Sequence, residues 1–81
     1  MVYSKDYMPS LEEVQRVVNL GGMYWQNMLQ RGRDLGMEHI NTRLVTSIID
    51  YLDEHEKLSP KQARVLIIME RSIQYRMEQQ Q

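Results

Sequence analysis

The chain has 81 residues, 42% of them apolar, with ten basic side chains against eleven acidic ones and a net charge of −1. That length limits it to one compact core of modest stability. The near-neutral balance excludes the broad positive field of a strongly basic nucleic-acid binder and the acidity of a DNA mimic, and the absence of cysteine excludes a disulfide framework, thiolate metal ligation and a cysteine nucleophile.

Residues 1–9 read as an N-terminal arm. They hold two tyrosines, a lysine and an aspartate without an apolar run, so they do not resemble a secretory signal. No later stretch reaches the length of apolar sequence that spans a bilayer. The expectation is a cytoplasmic protein without membrane attachment. A single helical domain is assigned to residues 10–78 and a polar tail to residues 79–81.

Ser10-Leu11-Glu12-Glu13 opens the first helix as a capping box. Leu11, Val14, Val18, Trp25, Met28 and Leu29 then recur at three- and four-residue steps until Leu35-Gly36 supplies an end signal, which predicts a helix over 11–35. Gly21 and Gly22 interrupt it, each costing about 1 kcal/mol relative to alanine. Gly21 and Gly32 nevertheless fall on the apolar stripe, where a missing side chain admits a close neighbour, so the helix is read as continuous. Asn41 caps a second helix over 42–56 that buries Leu44, Val45, Ile48, Ile49 and Leu52. The third begins at Leu58-Ser59-Pro60-Lys61-Gln62, with a serine cap, proline at the first helical position and glutamine at the third. It runs on through Ala63, Leu66, Ile67, Met69, Ile73 and Met77. Short links predict an all-α fold of three helices, a C-terminal antiparallel helical hairpin packed on the long N-terminal helix. Trp25, Leu29, Val45, Ile49, Leu52, Leu66 and Ile73 are the predicted core.

The chemistry of a catalytic or metal site is not legible. His39 and His55 lack both the spacing and the flanking ligands of a helical metal site. His55 instead sits in the last turn of the second helix, where a partly positive ring complements the helix dipole. Asp50, Asp53 and Glu54 read as a solvated acidic face, since nothing nearby predicts the burial that a catalytic carboxyl needs. No glycine-rich phosphate loop or nucleophile elbow occurs. The reading is of a non-enzyme with no metal and no cofactor.

Two surfaces are richer in apolar groups than solvent exposure requires. Arg64, Ile68, Arg71 and Tyr75 fall on one narrow arc of the third helix, opposite Leu66, and combine the aliphatic, aromatic and guanidinium groups favoured at interface centres. Residues 17–30 carry no charge between Arg16 and Arg31, and present Asn19, Met23, Gln26, Asn27 and Gln30 on their polar side. Such a face suits contact with another chain, most simply in a symmetric homo-oligomer. Seven methionines and no phenylalanine read first as gap-filling in the core and second as contact with an irregular partner.

Ile48-Ile49-Asp50-Tyr51-Leu52 followed by Leu58-Ser59-Pro60-Lys61-Gln62-Ala63-Arg64-Val65-Leu66 resembles a helix–Leu-Ser-x-Lys-Gln–helix segment of small phage and bacterial accessory and replication-associated proteins. The likeness is confined to the C-terminal half and transfers no functional residue. What it implies is a phage-like accessory protein that binds a host or viral protein. The expected function is thus a non-catalytic, self-associating protein-binding module using Arg64, Ile68, Arg71, Tyr75, Met23 and Asn27. The alternative is a nucleic-acid-binding protein that uses Lys61, Arg64 and Arg71 on phosphates and Tyr75 on a base.

Overall fold

The computed structural model describes residues 6–79. Residues 1–5 of the expected arm and 80–81 of the expected tail lie outside them. Three helices follow one another: α1 (Leu11–Asp34), α2 (Thr42–His55) and α3 (Pro60–Gln79), with no strand among the described residues. Each starts where a side chain can satisfy the N–H groups that a first helical turn leaves without partners. Ser10 Oγ accepts from the Glu13 N–H at 3.2 Å while Glu13 Oε1 accepts from the Ser10 N–H at 2.9 Å. Ser59 and Gln62 repeat the exchange at 3.2 and 2.9 Å, and Asn41 Oδ1 accepts from the Leu44 N–H at 3.1 Å.

The ends are equally local. Gly36 adopts φ 74, and the N–H groups of Gly36 and Met37 donate back to Arg33 and Gly32, both at 3.0 Å. This reversal closes α1 and tucks Met37 into the core, a burial that the sequence reading missed. α2 stops at Glu56, whose N–H donates to Leu52 O at 2.8 Å with its own backbone left-handed at φ 55, ψ 32.

The expectation of a continuous α1 is overturned at Gly21. Its φ of 83 and ψ of 162 are not helical and lie in a region that essentially only glycine occupies. A side chain there would meet nothing within 4 Å, so the glycine is required by backbone angle rather than by a close neighbour. Gly32 is the reverse case. A methyl group on it would meet Ile40 Cδ1 at 2.6 Å and Ile73 Cδ1 at 3.0 Å, so its lack of a side chain is what lets α3 and the 36–41 link approach α1.

The C-terminal hairpin packs on the long N-terminal helix, and both of its helices touch α1 much more than they touch each other. The seven predicted core residues are all buried, together with Val14, Val17, Ile48, Ala63, Ile67 and Met69. Three apolar assignments differ from expectation. Leu11 is 83% exposed and Leu44 45% exposed: Leu11 stands in the first turn of α1, ahead of Val14, and Leu44 lies about 90° round α2 from the centre of the stripe formed by Val45, Ile48, Ile49 and Leu52. Ile68, expected to face solvent, is half-buried beside the 36–41 link. Among the described residues no helix is long and apolar enough to cross a membrane.

Glu56 offers a direct check on the α2 end. A non-glycine residue in the left-handed conformation costs roughly 1–2 kcal/mol, partly offset by the greater unfolded-state freedom of glycine. Glu56→Gly is therefore expected to raise the unfolding free energy by about 0.5–1 kcal/mol in urea titration; a loss of stability would contradict this account of the cap.

Candidate protein-binding surfaces

α3 carries four apolar turns toward α1, and an acid interrupts them. Glu70 lies three residues before Ile73 and four after Leu66, inside the core stripe, and is only 3% exposed. Withdrawing a carboxylate from water costs several kcal/mol unless hydrogen bonds replace the lost hydration. Arg16 supplies two, Nη2 to Oε1 at 2.8 Å and Nη1 to Oε2 at 3.4 Å, and the Tyr24 hydroxyl donates to Oε2 at 2.5 Å. No buried side-chain nitrogen or oxygen among the described residues lacks a partner.

Burial by itself pushes the Glu70 carboxyl up. The bonds from Arg16 and Tyr24 and the charges of Arg16 and Arg71 outweigh it, leaving the carboxyl below its ordinary value. Arg16 is correspondingly pushed up by its bond to Glu70, and Tyr24 by burial and by the same carboxylate. Tyr24 therefore stays a donor and Glu70 an acceptor. This cluster was missed in the sequence, although an acid on an otherwise apolar stripe was the available signal.

With the inner faces so occupied, the outer ones can be read. Arg64, Ile68, Arg71 and Tyr75 follow one another at steps of four, three and four along an unbroken helix, and so share one side of α3. The structure gives them different surroundings. Arg64 is half-buried and its Nε donates to the Tyr7 carbonyl at 2.9 Å, which fastens the chain before α1 to α3. Ile68 lines a depression of about 220 Å³ whose apolar walls are Ile40, Val45, Val65 and Met69, with His39 and Arg64 at its margin. Arg71 is exposed, and Tyr75 is 58% exposed one turn further on. Sequence reasoning found the α3 side of this depression but not the link residues His39 and Ile40. They are legible only once Gly36 has turned the chain back.

On α1, Met23 is 76% exposed and Asn27, one turn later, is exposed with it. Next to them is a shallow hollow of about 470 Å³, mainly apolar in surface, bordered by Glu12, Gln15, Arg16, Asn19 and Leu20. Of the basic set of the nucleic-acid reading, Lys61 and Arg71 are exposed on α3, and Arg64 between them donates to the Tyr7 carbonyl. His55 stacks on Tyr51 with ring centres 4.3 Å apart in the last turn of α2. Among the described residues no three histidine or acidic side chains converge as a metal site requires.

Comparison with protein-family models, with curated proteins and with solved structures finds no match.

The Glu70 cluster fixes a pH dependence. Because the folded carboxyl is the stronger acid, its contribution is complete above the ordinary glutamate value of about 4.3 and is lost as pH falls below it through the lowered folded value. Unfolding free energy should therefore drop as pH is taken from 6 toward about 3, and Glu70→Gln should flatten part of that drop. An acid limb unchanged by Glu70→Gln would show that the carboxylate is not held as described.

Proposed function

We propose that this chain is a non-catalytic protein-binding module, a cytoplasmic accessory protein of the phage-like kind that acts by engaging a host or viral protein. The observation that carries the reading is the depression beside Ile68. An apolar recess of about 220 Å³ is the size that accepts one or two aliphatic or aromatic side chains, and interfaces are commonly anchored by a few such insertions. Arg64 and His39 at its margin, with Arg71 and Tyr75 along the same stripe, give the polar and aromatic surround typical of such anchors. A partner segment with one large apolar residue flanked by acidic groups fits this chemistry. Met23 and Asn27 belong to a second face on α1.

The nucleic-acid reading has less support. The net charge of −1 offers no long-range attraction to phosphate.

The test is affinity capture from lysate of the source cell with the wild type and with an Ile68→Ala/Tyr75→Ala variant. Ile68 is half-buried, so the variant is expected to lose about 1 kcal/mol of stability yet remain folded, while capture of a stoichiometric protein falls by tenfold or more, about 1.4 kcal/mol. Retention of the same protein at wild-type levels would remove this surface from the reading. Capture of nucleic acid that fades steeply between 50 and 200 mM salt would replace the reading with the alternative.

A further inference from the structure

The uncharged face of α1 carries both a projection and a recess. Met23 stands out at 76% exposure. Less than one turn toward the N-terminus lies Leu20, the wall of the hollow that Gln15, Arg16 and Asn19 complete. The two helical segments on either side of Gly21 bury the same side, Val14 and Val17 before it and Trp25, Leu29 and Gly32 after it. Their outer sides therefore form one continuous face. A projection and a recess on a single face are what a two-fold interface needs, since every contact in it is made twice by the same patch.

Charge agrees with shape. Glu12 lies at one end of the face and Arg31 at the other. Neither has an oppositely charged partner among the described residues; the Arg31 guanidinium meets only the Met77 sulfur, at 3.9 Å. Between them the outer positions Asn19, Leu20, Met23, Gln26, Asn27 and Gln30 are neutral; Asp53 and Glu56 at the end of α2 border Asn19, and Asp34, bonded to Gln30, leaves the Arg31–Arg33 end net positive. Two such faces laid antiparallel bring the acidic end of each against the basic end of the other. A parallel arrangement would bring like charges together.

We propose that this face is the interface between two copies of the chain, arranged antiparallel about a two-fold axis that crosses α1 between Gly21 and Gly22. That register sets Met23 against the second copy's Leu20, at the edge of its hollow. It also sets Arg16 against Asn27 of the second copy and Glu12 against its Arg31. The inference builds on the reading of the chain as a binding module but uses a different side from the Ile68 depression, leaving the latter open on both copies.

The experiment is sedimentation equilibrium of the full chain from about 1 to 100 μM, the range that detects moderately tight association. The wild type is expected to show a concentration-dependent dimer. Met23→Asp, at an exposed position, is expected to keep its melting temperature and weaken the dimer by about tenfold or more. Glu12→Arg and Arg31→Glu should each weaken it, and the two combined should restore much of it. Because the chain has no cysteine, a Leu20→Cys/Met23→Cys variant reports the register directly and should form an intermolecular disulfide under mild oxidation. Monomer mass throughout the range overturns the proposal, as does a dimer indifferent to Met23→Asp, or one in which the charge exchange restores nothing. Partner capture through the Ile68 surface should persist in Glu12→Arg, at an exposed position outside that surface, so failure here and failure of the functional reading are told apart.

Discussion

A carboxylate taken out of water has to find its hydrogen bonds inside the protein, and in this molecule the two halves of α1 jointly provide them for Glu70. Arg16 reaches it from before Gly21 and Tyr24 from after it. In an unbroken helix those two positions are about 12 Å apart along the axis, and the two side chains nonetheless converge on one carboxylate. A second bond spans the same break. The Trp25 indole Nε1 donates to the Val17 carbonyl at 2.9 Å, in the turn where the first segment runs short of backbone donors. Trp25 is fully buried and meets Tyr24 edge to face at 4.9 Å. Packing and polar contacts therefore fix the bend together, and α3 is locked to α1 at the same point.

The outer surfaces follow from this arrangement. Because α1 packs against both hairpin helices, only its outer side is left to solvent, and from residue 17 to residue 30 that side carries no charge. Arg16, which borders the hollow beside Leu20, has its charge paired with Glu70 of α3. On the other side, α2 and α3 are joined by a short link and lean on α1 more than on each other. That leaves room for the 36–41 link to fold beside Ile68 and shape the depression. One buried charge thus touches both helices that carry the candidate interfaces: it is bonded to α1 on both sides of the bend and belongs to α3.

Much of the fold was legible because its signals are local. Ser10 with Glu13, Ser59 with Gln62, and Asn41 each satisfy helix ends through bonds within three residues, and the apolar stripe of α2 needs only a 3.6-residue period. What escaped depends on distant partners. Glycine in a helix interior has a modest cost whether the helix bends or not, so the sequence around Gly21 could not decide its backbone angles; the residues bonded across the break include Glu70, far along the chain. Leu11 precedes the packed part of α1, and Leu44 sits at the edge of the α2 stripe, where only the packing of the neighbouring helices decides that Val45 is covered and Leu44 is not. The α3 stripe of Arg64, Ile68, Arg71 and Tyr75 was visible as a pattern. That Ile68 is half-covered by His39 and Ile40 was not, because it depends on the reversal at Gly36.

The bend at Gly21 is the claim on which the rest leans, and its sign can be measured. In an ordinary helix interior, replacing glycine by alanine raises stability by about 1 kcal/mol. At φ 83 and ψ 162, alanine has to hold a conformation that costs about 1–3 kcal/mol or straighten the helix and pull Arg16 and Tyr24 apart at Glu70. Urea unfolding of Gly21→Ala should therefore show a loss of at least about 1 kcal/mol relative to the wild type. A gain of about 1 kcal/mol would mean that α1 runs straight through Gly21 and that the account of the Glu70 cluster is wrong.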